Sequence, residues 1–296
     1  MTSASPHGVI DLPAYDLAAA VLDSWDAFIA LVDQVDLSAD TRLRGWSVRE
    51  IALHVGTWDG RSALSEVLVT LGSTAADEPL DTDAFNAELV DAHPDATAAD
   101  IRAALVGSRD AAAELLTSNI ARDRGTELVA SVTGPMPLLT VVHAQCFELA
   151  LHALDVVEAT GATCDPVLLR NGVAALADST GCLAARAGAD ATIGIIADEA
   201  PWTFTSRPDG SWTTAPVEGD PHGPRISGRA RDLLEAAAGR AEPVRLLATR
   251  RLRVSHPAGL TALTPILDQV PGLPGGKGLA LAAKSLGGIG SLFRKR

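Results

Sequence analysis

Apolar side chains recur at helical spacing in four segments of the first half of the chain. The predicted helices run from about residue 12 to 34, from Ser47 past residue 54, from about 99 to 120 and from about 138 to 159. Ser47 is a typical helix N-cap, and Glu50 completes a capping-box pattern with it. The acidic stretch from Pro79 to Pro94 is predicted to be a loop. Four amphipathic helices joined by loops of different lengths predict a four-helix bundle.

The second half of the chain mixes one long helical pattern with short alternating segments. A helix from about residue 166 to 187 precedes β-like segments at 191–197, 202–206, 211–216 and about 224–227. Pro208, Asp209 and Gly210 predict a hairpin turn. A further helix covers about residues 231–237, and segments 244–247 and 251–254 are predicted to be a closing strand and turn. This order predicts an α+β domain over an antiparallel or mixed sheet.

The length of the chain allows two hydrophobic cores, because its 296 residues exceed what one small domain needs. We therefore predict an α+β protein of two domains. Residues 10–162 form the bundle, residues 163–256 form a smaller α/β domain, and residues 257–296 form a Gly-rich helical or flexible tail.

Charge and hydropathy narrow the classes of partner. The formal net charge of −13 disfavours nucleic acid, because phosphate binding requires clustered Lys and Arg. The basic tail after Lys277 is expected to be a solvated terminus. No uninterrupted apolar run reaches the roughly 20 residues that span a membrane, and the N-terminus lacks the regions of a secretory signal. We therefore expect a cytoplasmic protein.

The candidate chemistry lies on two of the predicted helices. Glu148 and His152 are four residues apart on the fourth helix, so both side chains leave from one face. Such a pair is often a plain surface or capping pair. Here the neighbouring residues are apolar, which predicts a buried face where a charged Glu needs a partner. His54, on the second helix, could complete a three-ligand set that leaves a coordination position open.

The ligand types favour zinc over other metals. Two imidazoles and one carboxylate suit Zn²⁺, although they also bind other divalent ions. Cys146, Cys164 and Cys182 are widely spaced, which argues against a thiolate zinc site and against a disulfide framework.

Further polar residues have alternative roles. Asp155, about one turn beyond His152, could accept a hydrogen bond from a ligand imidazole or could be a surface carboxylate. His143 lies on the opposite face from His152 and is left out of the site. Three arginines could bind a carboxylate of a substrate or cofactor, or could be solvated helix ends: Arg229, Arg231 and Arg240.

Three short motifs resemble a known family. They are Gly45-Trp46-Ser47-Val48-Arg49-Glu50 with His54 downstream, Gly134-Pro135-Met136-Pro137, and Glu148-x-x-x-His152-x-x-Asp155. With them the chain resembles the mycothiol-dependent maleylpyruvate isomerase family of the DinB-like superfamily. The resemblance implies a DinB-like bundle, a sterol-carrier-like second domain, mycothiol as cofactor, and a metal bound by His54, Glu148 and His152. The chain departs from many relatives at residues 145–147, where they carry arginines.

The resemblance favours an enzyme. It implies a metal- and thiol-dependent isomerase or S-transferase, in which a metal-bound thiolate attacks an electrophilic small molecule. The alternative is a non-catalytic protein that binds a metal and holds an apolar ligand in the sterol-carrier-like domain. A third hypothesis is a regulatory protein that binds a partner through its tail. The intact His54, Glu148 and His152 set favours the enzyme.

Overall fold

The structure is a computed structural model that describes residues 7–72, 82–219 and 221–267. These residues divide into two compact units, one of residues 16–172 and one of residues 7–15 with the described residues from 173 onward. Along the chain, the two units meet at residues 172 and 173, and the domain boundary between residues 162 and 163 stays a prediction. The predicted basic tail after Lys277 lies outside the described residues. In the part of the chain that is described, no helix has both the length and the apolar character needed to cross a membrane.

The first unit is helical, as the apolar periodicity predicts. Its longest helices are α1 (Leu17–Val32), α5 (Ala98–Thr117) and α7 (Leu138–Thr160), and the short α2 (Val48–Val55) joins them. Helices α1 and α2 each pack against both α5 and α7, so these four form the predicted bundle. The remaining elements are α3 (Ala63–Leu68), α4 (Thr82–Ala92), α6 (Asn119–Arg124) and an antiparallel pair of short strands, β1 (Leu128–Val129) and β2 (Met136–Pro137).

Helix α7 ends where the sequence predicts. Gly161 follows its last residue with φ of 73°, a left-handed conformation that glycine adopts without a steric cost. Most of α7 is buried, because it contacts helices on several sides. His143 is among its fully buried residues.

Helix α2 begins at the predicted capping box. The Ser47 hydroxyl contacts both the Glu50 carboxylate and the Arg49 backbone N–H, and the Ser47 backbone N–H donates to Glu50 Oε2 at 2.8 Å. Partial burial opposes ionisation of Glu50, but the hydrogen bonds from Ser47 outweigh it and the pKa of Glu50 lies below its ordinary value.

The other end of α2 docks closely on α5. Ser108 donates from its hydroxyl to the Val55 carbonyl at 3.0 Å, and the Thr57 backbone N–H donates to the Ala104 carbonyl at 3.0 Å. A Cβ at Gly56 would lie 2.8 Å from the Ala104 Cβ, so this approach requires glycine. Helix α2 is therefore fixed at both ends.

Three predicted segments are wrong. Residues 82–92, predicted as part of a loop, form α4, which buries Leu89 although half of its other residues are acidic or polar. Residues 244–247, predicted as a strand, lie in the helix α10 (Pro243–Ala248), and residues 252–254 of the predicted turn lie in a strand. The first residue of α10 is a proline, which suits the start of a helix because the missing N–H would have no partner there.

The second unit contains a mixed five-stranded sheet, which confirms the predicted α+β class. The strand order is β5-β4-β3-β6-β7; β3 and β6 are parallel and the other neighbours are antiparallel. The strands are β3 (Ala191–Ala197), β4 (Pro201–Ser206), β5 (Trp212–Pro216), β6 (Arg225–Gly228) and β7 (Leu252–Ser255). The helices are α8 (Pro166–Arg186, in this unit from Val173), α9 (Ala230–Ala237), α10, α11 (Pro257–Leu260) and α12 (Thr264–Leu267).

A buried carboxylate holds residues 7–15 against the rest of the second unit. Asp178 Oδ1 accepts hydrogen bonds from the Val9 backbone N–H, the Trp212 indole N–H and the Thr214 hydroxyl, at 3.0, 3.0 and 2.9 Å. A Cβ at Gly8 would lie 2.0 Å from the same oxygen, and the φ of Gly8 is 69°. The turn therefore needs glycine at this position.

The capping box can be tested through stability. We expect Ser47→Ala to lower the free energy of unfolding by about 1 kcal/mol, because the first turn of α2 loses the hydroxyl that satisfies its N–H groups. Ser38→Ala is the matched control, since its hydroxyl also bonds a carboxylate, Asp36, but outside any helix. Denaturant unfolding measures both; equal losses in the two variants would contradict a special role for the cap.

Candidate metal centre

The bundle brings His54 of α2 and His152 of α7 together. Their ring centroids are 5.1 Å apart and the ring planes make an angle of 74°. His152 is buried, with 5% of its side chain exposed, and His54 is half-buried. Two imidazoles on one tetrahedral zinc, with bonds of about 2.0–2.1 Å, would have centroids about 5 Å apart. The arrangement of the two rings therefore fits a shared metal ion.

The Nδ1 atom of each ring has an oxygen beside it. Nδ1 of His54 lies 2.7 Å from Oδ1 of Asn86 on α4, and Nδ1 of His152 lies 3.2 Å from Oδ2 of Asp155. Amide and carboxylate oxygens accept hydrogen bonds, so this arrangement places the proton of each neutral ring on Nδ1. In that tautomer Nε2 is the ring atom that carries the lone pair a metal ion needs.

Glu148 differs from the expectation. Its side chain is 58% exposed, so the predicted burial of this carboxylate is wrong, because its position on α7 faces solvent although its neighbours are apolar. Glu148 Oε2 is 3.9 Å from His152 Nε2, whereas two ligands of one zinc ion lie about 3.3 Å apart. Within the described ranges, no three His, Cys, Asp or Glu side chains form a group that could hold a metal ion as they stand. A small rotation of this exposed side chain would shorten the distance.

An aromatic side chain borders the two histidines. The Trp46 ring centroid is 5.4 Å from that of His54 and 6.5 Å from that of His152, and it is nearly parallel to the latter. Trp58, by contrast, belongs to the core of the bundle, since it is buried, donates to the Leu53 carbonyl and stacks on His93. Trp46 therefore forms one wall of the candidate centre.

Asp155 is a buried residue and not a surface carboxylate. None of its side chain is exposed, and Oδ1 accepts a hydrogen bond from Arg42 Nε at 2.8 Å while Oδ2 faces His152. Arg42 also contacts Glu158, with Nη1 3.1 Å from Oε2. Removal of the partner of a buried charge is costly, so Asp155 depends on both neighbours.

Sequence reasoning did not identify Arg42 or Asn86. Arg42 contacts a residue 113 positions away, and Asn86 lies in the segment predicted as a loop. The only sequence signal for either is the closeness of Arg42 to the Gly45-Trp46 motif.

The other predicted site residues belong to the second unit. The three arginines flank or belong to α9 in the second unit; Arg231 pairs with Glu235 at 2.9 Å, and the Arg240 backbone N–H donates to the Glu235 carbonyl. Arg229 is the exposed N-cap residue of α9. Their cofactor-binding role stays a prediction.

The positions before Glu148 also have structural contacts. Gln145 accepts a hydrogen bond from the Trp25 indole N–H at 3.1 Å. Cys146 is fully buried, and burial raises the pKa of its thiol to about 12. Neither residue supplies a positive charge, so the departure at residues 145–147 removes cationic groups from this stretch of α7.

Comparison with known proteins supports the family resemblance. Residues 18–157 match the family model described as the mycothiol maleylpyruvate isomerase N-terminal domain, which confirms the resemblance for the helical unit. A structure of the mycothiol-dependent maleylpyruvate isomerase is 18% identical with a TM-score of 0.46, and covers 80% of this chain and 93% of its own. A mutant of that isomerase is 17% identical with a TM-score of 0.47, and the coverage is 85% and 96%. A search of curated proteins gives no match.

The cysteines provide a test of this packing. Burial raises the pKa of Cys146 and of Cys182 to about 12, so both thiols stay protonated at neutral pH, while Cys164 is half-buried. We expect a thiol reagent at about pH 8 to modify Cys164 alone in the folded protein and all three cysteines after unfolding. Mass spectrometry of the modified protein measures this. Rapid modification of a folded Cys164→Ala variant would contradict the burial of the other two.

Proposed function

We propose that this chain, whose residues 18–157 match a mycothiol maleylpyruvate isomerase N-terminal domain, is a metal- and thiol-dependent enzyme of the isomerase or S-transferase class. Its substrate would be a small electrophile, and mycothiol would be its thiol cofactor. The observation that carries the proposal is the pairing of His54 and His152 in the family's domain, each ring with its Nδ1 beside an oxygen.

The residues of the candidate centre would have different roles in metal binding. His54 and His152 would present their Nε2 atoms, and Glu148 would bring its exposed carboxylate to the same ion. Asn86 and Asp155 hold the two rings in place. Three protein ligands leave a coordination position open, which is the property of a catalytic and not a structural zinc site.

The metal bound at this site would be a Lewis acid that lowers the pKa of a thiol in the open position and thereby supplies a nucleophile at neutral pH. Trp46 lies beside both imidazoles, with ring centroids 5.4 and 6.5 Å away, and would exclude water from that side of the rings. The exposed side of the site, toward Glu148, is where a cofactor and substrate would enter.

The same nucleophile suits both reaction classes. In an isomerisation, the thiol would add to an activated cis double bond and leave again after rotation about the resulting single bond, which gives the trans isomer. In a transfer, the thiol sulfur would displace a leaving group, which departs with its bonding electrons, while the thiol proton goes to solvent.

The metal site can be tested by elemental analysis. We expect about one divalent ion per chain in untagged wild-type protein offered Zn²⁺, and loss of that ion in both His54→Ala and His152→Ala. His222→Ala, an exposed histidine of the second unit, is the matched control and should retain the ion. Wild-type protein that stays without metal would overturn the proposal and redirect the search to apolar ligands of the second domain.

The reaction can be tested with defined substrates. With Zn²⁺ and mycothiol we expect cis-to-trans isomerisation of maleylpyruvate, or conjugation of an electrophile that carries a leaving group, and omission of either component should abolish turnover. Glu148→Gln should reduce the rate by at least about 10-fold, because the site loses a charged ligand. Metal-loaded protein that is inactive in both assays would contradict the enzymatic proposal while leaving the metal site intact.

A further inference from the structure

A chain of polar contacts leads from the surface of the first unit to the buried His152. Arg42 Nε donates to Asp155 Oδ1 at 2.8 Å, and Asp155 Oδ2 lies 3.2 Å from His152 Nδ1. Arg42 has 22% of its side chain exposed, whereas Asp155 has none. This series of contacts therefore begins at the partly solvated guanidinium of Arg42 and ends at the candidate ligand His152.

We propose that Arg42 is a positioning residue of the metal centre, which through Asp155 fixes the orientation and the Nδ1 proton of the His152 ring. The inference rests on the proposed function only in that it gives this ring a metal to bind. Arg42 itself carries no lone pair for a metal ion, so its effect has to pass through Asp155.

The two oxygens of Asp155 have separate partners. Because Oδ1 faces Arg42 and Oδ2 faces His152, a rotation of the carboxylate would break at least one of the two contacts. Burial makes such a loss costly, since no water replaces the missing partner of an ionised group there. Arg42 thus holds the carboxylate in the one orientation that receives the His152 Nδ1–H.

Arginine suits this position better than lysine. Its planar fork reaches two acceptors on α7, Asp155 through Nε and Glu158 through Nη1. An ammonium group is a single point of charge and does not have this fixed geometry. The two contacts define the direction of the guanidinium and therefore that of Asp155.

The loop that carries Arg42 also carries the aromatic wall of the site. Thr41 donates to the Trp46 carbonyl from its hydroxyl at 2.6 Å and from its backbone N–H at 3.1 Å, which closes a turn around Arg42. Trp46 in turn lies beside both imidazoles. The contact of Arg42 with α7 therefore connects this loop, α2 and the His152 ring.

The test compares three arginine variants with two readouts. Arg42→Gln removes the charge, Arg42→Lys keeps it without the fork, and Arg102→Gln is the matched control because Arg102 pairs with Asp33 on the surface at 3.0 Å. The first readout is Zn²⁺ affinity by competition with a chromogenic chelator. The second is the position of the His152 ring proton in metal-free protein, by ¹⁵N NMR at about pH 8, where an ordinary imidazole is neutral.

We expect Arg42→Gln to weaken Zn²⁺ binding by about 10- to 100-fold, as for other residues that orient a metal ligand. Its His152 signal, assigned by difference from His152→Ala, should change from the single Nδ1–H form to a mixture. Arg42→Lys should have an intermediate affinity, and Arg102→Gln should match the wild type in both readouts.

Three results would overturn the inference: wild-type affinity with an unchanged His152 signal in Arg42→Gln, wild-type affinity in Arg42→Lys, or a wild-type His152 protonated on Nε2. If Arg42→Gln does not fold, the Zn²⁺ affinity of Arg42→Lys and the His152 signal of the wild type still test the inference. A wild type that binds no Zn²⁺ overturns the proposed function, whereas the ring proton of the metal-free protein tests Arg42 independently.

Discussion

Ser47 and Glu50 exchange hydrogen bonds at the start of α2, and the position of His54 depends on that exchange. A helix of eight residues has few internal hydrogen bonds and does not hold itself together in water. Three other features stabilise α2: its cap, the contact of its other end with α5, and the burial of Val48, Ile51 and Leu53. His54 lies on the remaining, half-buried face of α2, and its position depends on all three features.

Helix α4 depends on the same short helix. Arg49 donates from Nη2 to the carbonyls of His93 and Pro94, each at 2.8 Å, just after the end of α4. This holds the end of α4 near α2, and Asn86 of α4 in turn faces His54 Nδ1. The carbonyl contacts of Arg49 and the contact of Asn86 therefore link α4 to α2 at both of these points.

The sequence was sufficient to predict the parts of the fold in which apolar residues recur over several turns or a local motif marks the end of a helix. Helices α1, α5 and α7 each repeat an apolar face over several turns, and Ser47 and Gly161 mark helix ends by their own backbone chemistry. Helix α4 has too few buried residues for such a signal, and six-residue α10 is short enough to resemble a strand.

In the candidate site, too, the sequence predicts some of the residues and not others. Glu148 and His152 are recognisable because helix geometry places residues four apart on one face, but that geometry does not determine whether the face is buried. Arg42 and Asn86 could not be found, because the contacts that define them are made across 113 and 32 residues of chain. Candidate ligands can be predicted from local periodicity, whereas the side chains that contact them depend on tertiary packing.

The charges around His152 favour a cation over an anion. The groups in contact here include three carboxylates, Glu148, Asp155 and Glu158, and one guanidinium, that of Arg42. Among these named groups the carboxylates outnumber the guanidinium, which favours a cation beside the ring. An anionic substrate would be repelled from this face until that ion is present. A divalent ion bound here would reduce the repulsion that a carboxylate-bearing substrate meets, and Asp155 and Glu158 would attract that ion without being ligands.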